Sequence, residues 1–460
     1  MSSSRSRGGG EARLRPAAAD AVQGREAVDV PVALLGYGTV GSAVNRLLSE
    51  NAEDIERATG HRFRVVRALV RDLERERDFL PDPSILTTDP AAILDDPDVA
   101  LVAEVMGGLD PTGDHVLRAL RSGTPVVSAN KQLIARRGAE LFAAASEAGV
   151  QLRFEASVCA AIPVIKVLRE SLSFSRVHRI LGIVNGTTNF ILTQMEGGAD
   201  YGEALAEAQR LGYAEADPTE DVNGADAAAK MAILATVAFG TRITIDDVGF
   251  SGIEEIVPVH LRAARELDMA LRLVGTATLI DGRYDVRVQP CLVDRHHPLA
   301  AVEGPFNAVM LQGDAIREIT LEGPGAGGIE TASAVVSDMI SVIGQAGTGF
   351  LSGDACWREL ERLPFGDVRS PYYLHLEVDD RPGVLAHVAR RLADHEVSVA
   401  RLVQHEAGEG VAALHVVTHE TRSGSLADAL GAIGSLREVR GHVTALPVIS
   451  DRGVPGLGWA

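Results

Sequence analysis

The sequence predicts an α/β chain in three parts: a Rossmann-type nucleotide-binding domain over 29–155, an α+β domain over 156–328, and a ferredoxin-like βαββαβ domain over 371–450. Three observations carry this. An apolar run at 30–35 ends in GYGTVG and leads into a helical segment. The stretch 211–237 opens as a loop crowded with Glu215, Asp217, Glu220, Asp221 and Asp226, then becomes Ala-rich and apolar. Beyond Ser370, strand-like and helical segments alternate in the order βαββαβ.

Composition narrows the functions open to such a chain. At 460 residues with 46% hydrophobic content it can build two or three cores. The net charge of −19, from 44 basic and 63 acidic residues, disfavours nucleic acid or an anionic membrane as a partner. Cys159, Cys291 and Cys356 are too scattered for a disulfide framework or a cysteine metal site. Residues 1–28, rich in Ser, Arg, Gly and Ala, read as a disordered tail without a secretory signal. No apolar run reaches membrane-spanning length, so a cytoplasmic protein is expected.

Along the first domain, Val30–Leu35 is a strand, and a helix follows Gly41 to about Ser49. Gly36 permits a tight turn, Gly38 lets the backbone approach a pyrophosphate, and Gly41 permits close helix–strand packing. Tyr37, Thr39 and Val40 complete that cofactor turn, whose helix N-terminus faces the diphosphate. Asn51–Gly60 reads as a polar excursion before a strand at Phe63–Val70. Arg71 and Asp72 follow it: arginine suits the 2′-phosphate of NADP(H), an acidic residue the ribose of NAD(H), and Arg71 tips the expectation to NADP(H). Val99–Val105 is a strand closing on Met106-Gly107-Gly108, with Gly107 at the cofactor. A helix from about Pro111 to Ser122 precedes the strand Thr124–Ser128, which delivers Ala129-Asn130-Lys131 to the ligand edge of the sheet. Glu140–Ala148 is helical and Val150–Glu155 is strand-like.

From Ser157 the character changes. A helical piece is expected to open just after Glu155, with Pro163 in its first turns. Ile180–Ile183 leads to a polar turn at 185–189, and Tyr201–Leu211 is a short amphipathic helix. In the acidic stretch, Asp226 and Lys230 lie four apart near a helix start and can meet on one face, while Met231, Ile233, Leu234 and Val237 cover another. An Asp–Lys pair at this spacing is most often a surface ion pair; the gathering of carboxylates at an apolar helix argues for a polar site. Val286–Val293, Ala308–Gln312 and Ala315–Leu321 are strands. GPGAGG at 323–328, with Gly327 near the cofactor, leads to a helix at about 329–343 that returns to complete the nucleotide domain. Residues 344–370 are a linker with enough apolar side chains to pack on something. His296 and His297 are adjacent and read as structural.

GYGTVG (36–41), VMGG (105–108), ANK (129–131), EASV (155–158), GIVNGTTNFIL (182–192), LGYAEADPTEDVNGADAAAK (211–230), FGTR (239–242) and GPGAGG with TASAVVSD (323–338) stand in an order and spacing that resemble a homoserine dehydrogenase of the longer bacterial type. The DRPGVL start at 380–385 resembles ACT domains. The resemblance runs from about Val30 to Val448 and makes the middle domain catalytic and dimerising. It implies reversible, NAD(P)H-dependent reduction of L-aspartate 4-semialdehyde to L-homoserine. In it Lys230 is the proton donor, Asp226 its acidic partner, and Lys131 lies near both cofactor and substrate. Glu215 and Asp221 hold the substrate's amino group. It also implies a structural monovalent cation, usually sodium, at Glu155 and the main chain of Val158, Ala160 and Ile162. Where the family pattern has two glycines this chain has Ala160 and Ala161, and alanine is costly if either glycine holds φ > 0.

The chemistry asks for these residue types. A lysine can stabilise and protonate a developing alkoxide, and carboxylates suit an ammonium group. Lysine or a bound water could be the immediate proton carrier. The ACT resemblance implies an amino-acid effector, L-threonine, and a homo-oligomer, dimer or tetramer. Two other classes compete: another NAD(P)-dependent oxidoreductase, against which Glu215, Asp221, Asp226 and Lys230 together argue, and a non-catalytic amino-acid sensor, which no loss of motif supports.

Overall fold

In the computed structural model, residues 27–77, 79–344 and 357–450 are described. The expected tail lies outside them up to position 26, while Val28 already pairs with His61. Six parallel strands form the first sheet: β1 (Val28–Leu35), β2 (His61–Leu69), β3 (Leu86–Thr87), β4 (Leu101–Glu104), β5 (Val126–Ser128) and β6 (Leu152–Arg153). Their order, β3-β2-β1-β4-β5-β6, reverses direction at β1 and β4, which places a ligand crevice beyond the carboxyl ends of those two strands. Central strands buried on both faces read as continuous apolar runs, as Val32–Leu35 does. The polar excursion at 51–60 holds a helix, Ala52–Thr59, ended by Gly60 in the left-handed region; its charged surface masked it in the sequence. The helix before β6 begins at Lys131 and not at Glu140.

The helix Gly328–Gly344 packs on the helix Thr39–Glu50, and Ala332, Val335 and Met339 share a core with Val32, Leu34 and Val44. The middle sheet is antiparallel, in the order Arg317–Pro324, Phe306–Gly313, Val177–Ile183, Met269–Ile280, Arg283–Asp294. Met269–Ile280 has no counterpart in the strand expectations above. The helix Ala225–Phe239 lies against this sheet: a Cβ on Gly275 would stand 2.4 Å from Met231 Cγ, so glycine there lets helix and strand close. That helix is buried nearly all round rather than on one face.

The C-terminal strands take the order Val439–Ile449, Tyr372–Asp379, Val411–Thr418, Val399–Gly408, with helices Val384–Asp394 and Ser423–Gly434 on one side, which is the ferredoxin-like arrangement. The hairpin between Val399–Gly408 and Val411–Thr418 turns at Glu409-Gly410, so most of the expected 405–410 loop is strand. This unit is not hung on a bare linker. Leu292 pairs with Val448 and Val293 with Ile449, joining both sheets into one of 11 strands, and Tyr373, Leu446 and Val448 belong to the same core as the middle domain. Of the expected linker, 345–356 lie outside the described residues; Trp357 stacks on Phe142 with ring centroids 5.6 Å apart, and Leu363 is buried. Among the described residues no helix is long and apolar enough to cross a membrane.

Candidate active site

The nucleotide end is built from glycines with three different jobs. Gly36 has φ +112°, and a Cβ there would stand 2.9 Å from the Met106 backbone. A Cβ on Gly41 would meet the Gly36 carbonyl oxygen at 2.3 Å, so only glycine lets the helix start this close to β1. At Gly38 a Cβ would meet nothing within 4 Å. Gly38 is the N-cap of Thr39–Glu50 and no side chain caps that end, so free backbone N–H groups face open space, which suits a diphosphate. Val40 follows in the first turn, and Tyr37 is buried with its hydroxyl accepting from Asn45 Nδ2 at 2.7 Å. The second glycine cluster lies on the first: a Cβ on Gly328 would stand 2.7 Å from Thr39 Cγ2, and Gly327 holds φ +135°. Arg71 and Asp72 are exposed just beyond β2.

Opposite this end stands a buried polar cluster. Asp226, in the first turn of Ala225–Phe239, accepts from Lys131 on Oδ1 and lies 2.8 Å from Lys230 Nζ through Oδ2. Lys131 is the first residue of its helix and half-exposed, so the two lysines come from different domains. Lys230 also donates to the Val184 carbonyl at 2.8 Å, and its burial makes it an interior residue of the helix. Burial alone would raise the Asp226 pKa, but Lys230 and Lys131 outweigh it and hold the carboxyl well below its ordinary value. Burial likewise works against the Lys230 ammonium, and the Asp226 charge overcomes it and raises that pKa. The pair stays ionised.

Asn185 ties in the third carboxylate. Its Nδ2 donates to Asp221 Oδ1 at 2.7 Å and to Asp226 Oδ2 at 2.8 Å, while its Oδ1 accepts from the Thr188 N–H at 2.8 Å and caps the helix Gly186–Glu196. The expected polar turn at 185–189 is thus a capped helix start, and Asn185 is a site residue that the sequence marked only as a turn former. Burial, then the Asp226 charge, raises the Asp221 pKa. Glu215 stays exposed; among the described residues only its carbonyl is engaged, accepting from Gln209 Nε2 at 3.2 Å. The structure therefore brings Lys131, Asp221, Asp226 and Lys230 together and leaves the Glu215 side chain apart.

Glu155 lies farther along. It is buried, and its two carboxylate oxygens accept from the Ile165 and Lys166 N–H groups, each at 2.8 Å. Burial first, then Asp338, pushes its pKa to about 8. The helical piece expected just after Glu155 starts only at Val164, because Cys159 and Ala160 turn the chain with φ of 55° and 39°. Ala160 thus occupies a left-handed conformation, the costly case for alanine. Among the described residues no three His, Cys, Asp or Glu side chains group as a metal site. His297 is buried and caps a short turn, its Nδ1 accepting from the Leu299 N–H at 3.2 Å.

Comparison with known proteins decides the family. The profile for homoserine dehydrogenase matches residues 163–340, that for its NAD binding domain 36–155, and that for the ACT domain 372–438. The homoserine dehydrogenase of Bacillus subtilis is 38% identical over 439 residues, covering 94% of this chain and 99% of that protein. The chain belongs to the homoserine dehydrogenase family. It is an oxidoreductase of the longer bacterial type, with an NAD(P)-binding domain and a C-terminal ACT domain. The crystal structure of a homoserine dehydrogenase from Thiobacillus denitrificans superposes with a TM-score of 0.87 at 39% identity, covering 93% of this chain and all of that one (100%). A hyperthermophilic archaeal homoserine dehydrogenase in complex with NADPH covers 69% of this chain and 98% of its own, with a TM-score of 0.59 at 29% identity.

Proposed function

We propose that the protein interconverts L-aspartate 4-semialdehyde and L-homoserine, in the branch leading to threonine and methionine, with Lys230 as proton donor. The observation that carries this is Asp226, buried between Lys230 and Lys131 at the junction of the nucleotide and middle domains. When bound, the nicotinamide cofactor supplies or takes up the hydride. Lys230 stabilises the developing alkoxide and delivers its proton, held in place by Asp226 and the Val184 carbonyl. Asp221 and Glu215 receive the substrate ammonium, Asp221 from the buried side and Glu215 from the exposed loop. Purified full-length protein given L-homoserine with NADP or NAD should generate reduced nicotinamide absorbance. No turnover with both, in protein shown to bind cofactor, contradicts the reading.

NADP(H) is the preferred cofactor on this reading. Gly36–Gly41, Gly107 and Gly327 line the open end, Lys131 stands at its edge, and Arg71 is exposed beyond β2 and makes no ion pair among the described residues, so it can meet a 2′-phosphate. The archaeal relative's complex with NADPH supports the same choice. Arg71→Ala should weaken NADPH binding about tenfold, as for a lost charge-assisted hydrogen bond, and leave NADH nearly unchanged. Equal effects on both, measured by fluorescence titration, would remove Arg71 from cofactor choice.

A monovalent cation, sodium, is proposed at Glu155 with the main chain of Val158, Ala160 and Ile162. What supports it is the buried Glu155 carboxylate beside a second one, Asp338, a pair of acidic groups that the single Lys166 ammonium, 3.5 Å from Asp338, only half offsets in charge. The ACT domain is proposed to take L-threonine as effector. Gly383, at φ +96° with open space where a Cβ would be, leaves the backbone at the start of Val384–Asp394 approachable. The sheet shared between the ACT and middle domains gives effector binding a direct mechanical path. Calorimetry with millimolar L-threonine on the full protein tests this: no heat together with unchanged activity would leave the domain an assembly element. The enzyme is proposed to act as a cytoplasmic homo-oligomer.

A further inference from the structure

Glu104, the last residue of β4, has an accessible surface of 0% and, among the described residues, no cationic partner within ion-pair distance. Such a carboxylate is unfavourable unless hydrogen bonds satisfy it. Here they do, from two directions. Oε1 accepts from the N–H groups of Met106 and Gly107, both at 3.0 Å. Oε2 accepts from Ser128 Oγ at 2.6 Å, at the end of the neighbouring strand β5. Ser128 Oγ in turn accepts from the Asn130 N–H at 3.1 Å. The Asn130 side chain closes the ring: Nδ2 donates to the Gly108 carbonyl at 2.7 Å, and Oδ1 accepts from the Leu133 N–H at 3.1 Å, capping the helix that Lys131 begins.

One arm of this network shapes the turn of Gly107 and Gly108, whose left-handed φ angles of 72° and 75° leave open space where side chains would be. The other arm fixes the first helical turn, from which Lys131 reaches Asp226. Neither arm involves a residue that touches Asp226 except Lys131 itself. We propose that Glu104 is a positioning residue whose carboxylate locks the cofactor-side turn at Gly107 and, through Ser128 and Asn130, the start of the Lys131 helix into one register. This rests on the reading of Gly107 and Lys131 as site residues given above.

The donor directions give the test its shape. The Ser128 hydroxyl donates to Glu104, because a carboxylate can only accept, and its oxygen accepts in turn from the Asn130 N–H. Glutamine at 104 can still accept the Met106 and Gly107 N–H groups through its oxygen. Its amide nitrogen then faces the Ser128 hydroxyl as a donor and leaves that hydroxyl's proton without an acceptor. Glu104→Gln therefore reverses and weakens the link in the Lys131 arm and spares the turn, whereas Ser128→Ala removes that link outright.

Both variants, made in the full chain and checked for folding by circular dichroism and unfolding midpoint, should lose about tenfold or more in kcat, the scale of a lost hydrogen bond to a charged group. The NADPH dissociation constant, from fluorescence titration, should change less than about threefold, the arm at Gly107 being intact. Because the two act through one link, the double variant should be no worse than the more damaged single one. Folded variants with wild-type kcat, or a double variant whose losses multiply, would overturn the proposal. If Ser128→Ala weakens NADPH binding as much as it slows turnover, the two arms are not separate and the proposal also fails. A wild type that binds NADPH but does not oxidise homoserine would instead contradict the activity reading.

Discussion

Lys131 and Lys230, from different domains, meet on the two oxygens of one buried carboxylate, Asp226. The contact between the nucleotide and middle domains thereby runs through the same carboxylate that holds Lys230. The arrangement also bears on charge: Lys230 and Lys131 together hold the Asp226 carboxyl well below its ordinary value, and Asn185 holds the anion's orientation.

That charge state sets the pH behaviour of the reaction. Asp226 raises the Lys230 pKa against the opposing effect of burial, so the lysine carries its proton throughout the neutral range. With Lys230 as the proposed proton donor, reduction of the aldehyde needs the proton there, whereas oxidation of homoserine needs it gone. kcat/KM for oxidation should climb steadily from neutral into alkaline pH, while that for reduction holds level until the lysine deprotonates. A plateau in oxidation set by a group titrating near neutrality would show that another base, such as a bound water, accepts the proton.

Much of this was legible in the residues. GYGTVG between an apolar run and a helix pointed to the nucleotide turn because Gly36 and Gly41 answer steric demands that no other residue meets, while Gly38 leaves the turn open. Asp226 and Lys230 were visible as a pair from helical spacing alone. Lys131 could be placed at the ligand edge, but its bond to Asp226 could not, since it spans two domains and no local pattern encodes it. Asn185 and Glu104 were passed over for a related reason: an asparagine in a turn and a carboxylate at a strand end are ordinary until their partners are known. Helix Ala52–Thr59 and strand Met269–Ile280 were missed. The first is short and charged; the second mixes small and apolar residues without alternation.

The loop after Glu155 offers a conformational test. A left-handed backbone costs a non-glycine residue roughly 1–2 kcal/mol, and glycine's extra freedom in the unfolded chain costs roughly 0.5–1 kcal/mol. Ala160→Gly should therefore leave stability unchanged or raise it by up to about 1.5 kcal/mol in denaturant titrations. Ala161→Gly, at a position without positive φ, should lower stability. Destabilisation by Ala160→Gly equal to that of Ala161→Gly would mean that the Ala160 strain is absent in solution.

Where the ACT sheet meets the middle domain, histidines form a ladder. His260 meets His375 edge to face with ring centroids 5.5 Å apart, His375 stacks on His415 at 5.2 Å, and His405 meets His415 at 5.5 Å. The Tyr373 hydroxyl lies 2.8 Å from His415 Nδ1, and Glu266 Oε2 lies 2.8 Å from His405 Nε2. Burial first, then the neighbouring histidines, lowers the pKa of His260 and of His415 to about 4, against a small opposing pull from Glu266 on His415. Burial also lowers that of His375, opposed by Glu377. Groups held neutral in the fold make stability full above the ordinary value of 6.5 and weaken it as pH falls from there towards 4. The unfolding midpoint should fall over that window, and His260→Gln should flatten the slope. An unchanged slope would show that the ladder does not titrate against the fold.

The central claim is that Lys230, held by Asp226, donates the proton. Single-turnover reduction of L-aspartate 4-semialdehyde with saturating NADPH, in wild type, Lys230→Ala and Asp226→Asn, tests it most directly. Lys230→Ala should slow the chemical step by roughly 10²-fold or more, the order for losing a positioned proton donor, with NADPH binding retained. Asp226→Asn should also slow it, since it removes the anion that orients both lysines. A Lys230→Ala enzyme reducing the aldehyde at close to the wild-type rate would contradict the account.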